Sequence, residues 1–283
     1  MTDVTPTSAE RTEPFPLVFA HRGSSEALPE HTLAAYLRAM DEGADGLECD
    51  VRLTRDGHLV CVHDRRLGRT SNGNGLISRR NLSELDELDF GSWHPKWPQS
   101  PDDLIFDRPV PDTEVDIAVR VLTLERLLDA AFDAGRPIRL LIETKHPSRF
   151  GGDVEARLLE TLRAYSLDRP RAGAPVHVTV MSFSGFAVRR VRELAPAIES
   201  VWLTEFATPG LRVGQVPFGA TIAGPGVRTV RANPGIVEKL RRNGFRVYVW
   251  TVNEPDDVDL MIKLGVDGII SDRPRFVLNR LGR

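Results

Sequence analysis

The chain has 283 residues, a formal net charge of -3, 41% hydrophobic residues and 27% charged residues, values that are ordinary for a soluble globular protein. The negative net charge argues against a nucleic-acid partner, because proteins that bind the phosphate backbone concentrate Lys and Arg on one face. No apolar stretch approaches the roughly 20 residues that span a bilayer, so stable membrane insertion is not expected.

The first 16 residues are polar and contain proline. They lack the positive start and the apolar core of a secretory signal, and they are predicted to form a disordered tail. The chain has only two cysteines, which are too few for a disulfide framework and favour a reducing, cytoplasmic location.

From residue 17 onward, short apolar strands alternate with amphipathic helices, the pattern of a parallel sheet covered by helices. The predicted strands span residues 17–20, 46–53, 138–143, 177–182, 200–203, 220–223, 246–251 and 268–271. The predicted helices span residues 32–42, 123–134, 154–165, 186–194, 235–243 and 255–264. Eight strands favour an α/β fold of the (β/α)8 TIM-barrel type, formed as a single domain over residues 17–283; a doubly wound open sheet is the alternative.

An Asp-Gly pair at residues 56–57 lies between two alternating apolar runs and predicts a β-hairpin turn. The second strand would then extend past the barrel rim, turn, and bring His63 back to the level of Asp50. If His63 and Asp50 share one face, Cys49 and Cys61 lie on opposite faces, and no disulfide between them is expected.

A second interruption covers residues 65–121, which are rich in Gly, Asn, Trp, Pro and Asp. This stretch is too long for an ordinary strand-to-helix connection. It is predicted to be a small insertion between the second strand and the second helix, lying over the C-terminal face of the barrel.

Acidic side chains occur where strands end, the place where TIM barrels carry their sites. Glu48 and Asp50 are two residues apart on one strand and point to the same side, where Glu143 of the next strand can join them. Two carboxylates about 4 Å apart repel by roughly 4 kcal/mol at an effective dielectric of 20, and a divalent cation removes that repulsion. Oxygen ligands suit Mg²⁺ or Ca²⁺ better than zinc. The alternative is that neighbouring cations pair with the carboxylates as structural charge; the candidates are Arg22, Arg52 and Lys145.

The remaining candidates at strand ends suit chemistry on a phosphate ester. His21 and His63 can supply a base and an acid near neutral pH, although a lone histidine is more often a hydrogen-bonded core residue. Arg22 and Lys145 are suited to hold a phosphate, or to neutralise the carboxylates. Trp250 is either a platform for a ligand or part of the core.

These residues lie in motifs that resemble those of the glycerophosphodiester phosphodiesterases, within the larger phosphatidylinositol-phospholipase-C-like barrel group. The resemblance extends from about residue 17 to residue 274, in the expected order. Its motifs are His-Arg-Gly at 21–23, Pro-Glu-x-Thr at 29–32, Gly-x-Glu-x-Asp-Val-x-Leu-Thr-x-Asp-Gly at 46–57, His-Asp at 63–64, Leu-Thr-Leu-Glu at 122–125, Glu-x-Lys at 143–145, Met-Ser-Phe at 181–183, Trp-Thr-Val-Asn at 250–253 and Asp-Gly-Ile-Ile-Ser-Asp-Arg-Pro at 267–274.

The resemblance implies a catalytic TIM barrel with an inserted segment and a metal-dependent hydrolysis of glycerophosphodiesters to an alcohol and sn-glycerol 3-phosphate. It leaves open whether water or a glycerol hydroxyl attacks first, the latter giving a cyclic phosphate. Carried over by position, it implies metal ligands at Glu48, Asp50 and Glu143, acid/base residues at His21 and His63, and phosphate contacts at Arg22 and Lys145.

One position departs from the family pattern, because His31 occupies the place of the usual Asn in Pro-Glu-Asn-Thr. Histidine can still form a hydrogen bond, but with different geometry and charge, so an effect on pH dependence is expected. Its neighbour Glu30 is predicted either to contact the metal or a metal ligand, or to cap the first helix.

Two other functions are the alternatives. A phospholipase-like relative would act on lyso or intact phospholipids, but the sequence shows no obvious amphipathic surface helix for a membrane. A barrel that only binds a phosphodiester would not need two histidines. The expected partner is a small-molecule glycerophosphodiester, and no oligomeric state is predicted. Its alcohol would be selected by residues 65–121 and by the loops after Ser182 and Leu203.

Overall fold

The computed structural model describes residues 16–95 and 119–283 of the chain. The predicted N-terminal tail therefore lies, except for Pro16, outside the described residues. The predicted insertion is described only in part, because residues 96–118 fall outside the same ranges.

Eight parallel strands close into a barrel. They are β1 (Leu17–His21), β2 (Gly46–Leu53), β4 (Ile138–Thr144), β5 (Val176–Ser182), β6 (Glu199–Thr204), β7 (Ile222–Pro225), β8 (Arg246–Val249) and β9 (Gly268–Ser271). Each strand pairs with the next in this order, and β9 pairs in parallel with β1, which closes the circle. The predicted (β/α)8 TIM barrel is confirmed, and the open-sheet alternative is wrong.

Helices surround the barrel. In the described parts of the chain they are α1 (Leu33–Asp41), α2 (Leu82–Asp86), α3 (Leu124–Phe132), α4 (Asp153–Ala164), α5 (Gly185–Leu194), α6 (Pro209–Arg212), α7 (Val227–Ala232), α8 (Gly235–Arg242), α9 (Pro255–Leu264) and α10 (Pro274–Arg280). The hydroxyls of Thr32 and Thr123 cap α1 and α3 by accepting backbone N–H groups. All six predicted helices are present within a few residues. The four short helices α2, α6, α7 and α10 are missing from the prediction because one or two turns show too little periodicity.

The predicted hairpin is also present. Strand β3 (Leu59–Cys61) pairs antiparallel with β2, with Val51 opposite Cys61. Residues opposite each other in such a pair share a face, so Cys49 and Cys61 lie on the same side. The prediction of opposite faces is wrong, because β3 ends at Cys61 and strict alternation does not continue to His63. Both cysteines are buried and free, as expected.

Alternation along the strands builds the barrel interior in layers. Phe19, Leu141 and Tyr248 belong to a cluster that fills the barrel centre. Two residues further along their strands, His21 and Glu143 point to the same side and therefore form the layer at the C-terminal mouth. The fold thus brings the polar strand ends together above an apolar plug.

The described part of the insertion packs on β3. Two short 3₁₀ helices (Leu67–Arg69 and Ile77–Arg79) and α2 contribute to a separate apolar cluster that includes Val60 and Phe90. No helix among the described residues combines the length and apolar character needed to cross a membrane.

Candidate active site

Three carboxylates form the centre of the site. Asp50 pairs in register with Glu143, and His21 of β1 lies opposite Glu48. One oxygen of each carboxylate of Glu48, Asp50 and Glu143 lies within 4.8 Å of the others, and each residue is at most 5% exposed. The structure therefore brings together the three predicted ligands, in a group able to hold a metal ion.

Two cations contact these carboxylates. Lys145 Nζ lies 3.0 Å from Asp50 Oδ1 and 2.8 Å from Glu143 Oε1, and Arg22 Nε lies 3.1 Å from Asp50 Oδ2. The alternative of structural ion pairing is thus observed for both residues. Arg52 behaves differently, because its guanidinium donates to the carbonyl of His63. Three carboxylates still outnumber the two cations that contact them.

The pKa values of the three carboxyl groups reflect this excess of carboxylates over cations. Burial and the charge of Asp50 raise the pKa of Glu143 to about 8 and also raise that of Glu48. Burial acts in the same direction on Asp50, but Lys145, His31 and Arg22 hold its pKa well below the usual range. With no cation bound, the buried carboxylates reduce their repulsion by binding protons. Their hard oxygen atoms are ligands that suit Mg²⁺ or Ca²⁺.

His21 is held from behind by Asp272. Its Nδ1 lies 2.6 Å from Asp272 Oδ1, which leaves Nε2 facing the carboxylates, 3.9 Å from Glu48 Oε2. Burial would raise the pKa of Asp272, but hydrogen bonds from His21, Asn253 and Ser25 lower it to about 2. Asp272 is therefore an anion that fixes the orientation of the ring.

His63 has a parallel arrangement. Its Nδ1 lies 2.6 Å from Asp64 Oδ1, and Arg69 Nε donates to Asp64 Oδ2 at 2.6 Å. Burial, together with the charges of Arg22 and Lys145, lowers the pKa of His63 to about 4, although Asp50 opposes the shift. The two predicted histidines thus each use Nδ1 to hold a carboxylate, and neither Nε2 forms a hydrogen bond with another of the described residues.

Glu30 and His31 contribute to the support of the cluster. Glu30 is bound by Arg22 at 3.1 Å and by both terminal nitrogens of Arg69, and it lies outside the metal-binding group. Thr32, not Glu30, caps α1. His31 Nε2 lies 2.9 Å from Asp50 Oδ2. Burial lowers the pKa of His31, so the ring is neutral and braces the carboxylate by one donated hydrogen bond.

Trp250 lies at the mouth, half buried. Its indole Nε1 donates to the carbonyl of Gly224 at 2.8 Å, and its ring meets Phe183 edge to face at a centroid distance of 5.1 Å. Lys145 Nζ lies 5.9 Å from the centre of the Phe183 ring. An aromatic wall therefore stands beside the phosphate-binding candidates.

Sequence reasoning did not assign roles to Asp272, Asn253, Asp64 or Arg69. Asp272 follows β9 directly, so the rule that sites lie at strand C-terminal ends could have found it. Arg69 had no such signal, because it belongs to the insertion and meets Glu30 across 39 positions of sequence.

Fold and site together define a TIM-barrel phosphodiesterase. Comparison with known sequences then gives the family: the chain belongs to the glycerophosphoryl diester phosphodiesterase family, whose model matches residues 21–276. It is 43% identical over 259 residues to the probable glycerophosphodiester phosphodiesterase 1 of Mycobacterium tuberculosis, covering 92% of this chain and 90% of that protein. It is 32% identical over 271 residues to the glycerophosphodiester phosphodiesterase of Caldanaerobacter subterraneus, with coverage of 93% and 96%.

Solved structures show the same fold. A phosphodiesterase of Oleispira antarctica, in complex with the product sn-glycerol 3-phosphate, superposes with a TM-score of 0.76 at 24% identity, covering 95% of this chain and 98% of that chain. A glycerophosphodiester phosphodiesterase of Agrobacterium tumefaciens superposes with a TM-score of 0.68 at 25% identity, covering 93% and 99%.

Proposed function

We propose that this protein hydrolyses glycerophosphodiesters to sn-glycerol 3-phosphate and an alcohol, with a divalent metal ion and a pair of histidines. The observation that carries the proposal is the joint presence of the buried carboxylate group and two histidines that are each held by a carboxylate through Nδ1. A site that only neutralised its carboxylates would not need both histidines.

The metal would be held by Glu48, Asp50 and Glu143, and Mg²⁺ and Ca²⁺ are both suitable. When bound, it would polarise a phosphoryl oxygen of the substrate. Arg22 and Lys145, which contact the same carboxylates, are placed to bind the remaining phosphate charge.

The two histidines divide the proton transfers. A neutral ring accepts the proton of the attacking hydroxyl at Nε2, and the protonated partner donates from Nε2 to the departing oxygen. Asp272 and Asp64 hold the two rings in position through Nδ1. This division of roles applies equally to attack by water and to attack by a glycerol hydroxyl.

The test is release of glycerol 3-phosphate from glycerophosphocholine and glycerophosphoethanolamine with Mg²⁺, with Ca²⁺ and with chelator. Metal-dependent release that is lost in His21→Ala and in His63→Ala would support the proposal. Folding of both variants is checked by thermal unfolding. Release that is equal in chelator would refute the metal requirement, and full activity of either variant would refute the acid/base pair.

A second candidate, hydrolysis of lysophospholipids, has one observation in its favour. Phe183, Phe186 and Phe206 follow the C-terminal ends of β5 and β6 and are 41%, 78% and 74% exposed. Exposed aromatic side chains on the face that carries the site suit contact with an acyl chain. Release of choline distinguishes the candidates, because it can be measured from both glycerophosphocholine and lysophosphatidylcholine. The second candidate requires faster release of choline from the lysophospholipid, with an acylated glycerol 3-phosphate as the other product.

A further inference from the structure

A cleft beside the carboxylate group is lined by positive side chains. Four basic residues line it, and no carboxylate occurs among the described lining residues. The basic residues are Arg52, Arg65, Lys145 and Arg149. Because the whole chain carries a net charge of -3, this concentration of positive charge is local and contrasts with the average surface.

The cleft has two walls of different origin. Arg65 and Ser78 come from the insertion, and Ser148 and Arg149 come from the segment after β4. Arg149 Nη1 lies 3.4 Å from the carbonyl of Ser78, which joins the walls. A ligand between them would contact the part of the fold that is predicted to select the alcohol.

The arginines of the cleft have no carboxylate partner among the described residues. Arg52 is fixed by the carbonyl of His63, at 2.9 Å from Nε and 2.6 Å from Nη2, and a carbonyl carries no net charge. Arg65 and Arg149 likewise form no ion pair with a carboxylate in the described parts of the chain. Arg22 and Arg69, by contrast, are both paired with Glu30. Grouped cations without anions attract an anionic ligand and gain most from binding one.

Lys145 links this cleft to the catalytic candidates. The same ammonium that lines the cleft lies 3.0 Å from Asp50 and 2.8 Å from Glu143. A substrate whose phosphodiester reacts at the carboxylate group therefore has the cleft beside it, within reach of a substituent on the phosphate.

We propose that the cleft binds a second negative charge carried by the alcohol part of the substrate. The preferred substrates would be glycerophosphodiesters whose alcohol bears another phosphate, and the forked guanidinium of arginine suits that group. A cationic alcohol such as choline would be disfavoured by the same charges. This inference rests on the proposed phosphodiesterase function.

The test compares three substrates: bis(glycerophospho)glycerol, glycerophosphoglycerol and glycerophosphocholine. The first two differ by a glycerophosphate group on the leaving alcohol. We expect kcat/KM for the bis-phosphodiester to exceed that for glycerophosphoglycerol by about tenfold at low salt, more than its two equivalent ends explain. The ratio should shrink as salt is raised, because screening weakens exposed charges.

Three variants distinguish binding in the cleft from attraction by the overall charge of the surface. Arg65→Ala and Arg149→Ala should each lower the ratio of the two kcat/KM values about threefold to fivefold, toward the factor of about two that the two equivalent ends give. Arg66→Ala removes an exposed neighbouring charge that does not line the cleft, and it should leave the ratio unchanged.

A wild-type ratio no greater than two would overturn the inference while leaving the phosphodiesterase function intact. The inference would also be overturned by a ratio that Arg65→Ala and Arg149→Ala do not change, or that Arg66→Ala lowers equally. Absence of product from all three substrates, with folded protein and metal, would refute the proposed function and this inference with it.

Discussion

The carboxylate group makes the stability of the metal-free protein depend on pH through Glu143. Its pKa is raised from 4.5 to about 8 by burial and by Asp50, while Lys145 opposes the shift. In the unfolded chain this carboxyl is ionised above about 4.5. Between these pH values the folded state holds a proton that the unfolded state has lost, so the free energy of unfolding falls as pH rises toward 8.

The window from pH 6.5 to pH 8 shows this effect most clearly. His63 has a pKa lowered from 6.5 to about 4, so most of its opposite contribution to stability is gained below pH 6.5. A carboxyl protonated only in the folded state changes the free energy by about 1.4 kcal/mol per pH unit. Since the proton of Glu143 is half lost at about pH 8, the expected fall across the window is about 2 kcal/mol.

Urea denaturation in chelator, at several pH values between 6.5 and 8, measures this fall. A divalent ion should remove it by keeping the carboxylates ionised in the folded state. At a hundred times its Kd, the ion should also add about 3 kcal/mol to the free energy of unfolding. Metal binding and proton binding are thus expected to exclude each other at Glu143.

Glu143→Gln should markedly reduce the dependence of stability on pH and remove most of the response to metal; the raised pKa of Glu48 leaves a residual dependence. Glu160→Gln provides the matched control, because the side chain of Glu160 is 70% exposed on α4. It should leave the pH dependence as in the wild type. A wild-type protein whose stability in chelator is the same at both ends of the window would refute this account of the cluster, as would an unchanged dependence in Glu143→Gln.

Asp272→Asn should lower kcat roughly 100-fold with little change in KM, because His21 loses the anion that orients and stabilises its ring; an unchanged kcat would contradict that role. His31 has φ of +61°, a region in which Asn is favoured. His31→Asn should therefore stay within about threefold of wild-type kcat/KM. His31→Ala, which removes the hydrogen bond of His31 to Asp50, should lose about tenfold or more; equal effects of the two variants would contradict this role of His31. In Gly46→Ala, the new Cβ would lie 2.5 Å from a carbonyl oxygen and 2.6 Å from the Phe19 ring, so urea denaturation should show a loss of about 2 kcal/mol or more, and a stable variant would contradict the close packing.

The sequence could predict the carboxylate group because one rule sufficed. Side chains two apart on a strand share a face, and parallel strands of a barrel end at the same rim. Glu48, Asp50 and Glu143 satisfy that rule within continuous strands. The rule failed for Cys49 and Cys61, because it was applied through His63, which lies beyond the end of β3.

Other contacts depend on how the chain closes. Asp272 reaches His21 because β9 pairs with β1, a contact between residues 251 positions apart. Nothing local in the sequence indicates that pairing until the barrel itself is assumed. The same holds for the unusual backbone of Arg22 and His31, which both have positive φ although neither is glycine. Such conformations are imposed by surrounding contacts and not by local preference.

Arg69 connects the insertion to the candidate site. It binds Glu30 through two nitrogens at 2.7 and 2.8 Å and Asp64 through a third at 2.6 Å. Asp64 in turn orients His63, and Glu30 pairs with Arg22 beside the carboxylate group. Alternating charges therefore connect the insertion to both halves of the site.

This arrangement limits how substrate selection can change. The insertion contributes Arg65 to the basic cleft. Four residues later it contributes Arg69, which binds Asp64, the carboxylate that holds His63. Exchanging the whole segment for one of different charge would alter the cleft and remove the support together. A change confined to Arg65 and Ser78 alters one wall of the cleft. Because Arg69 is kept, it still pairs with the carboxylates of Glu30 and Asp64. If the cleft selects the alcohol as proposed, its selection can be separated from the positioning of His63 only by changing single residues in this segment.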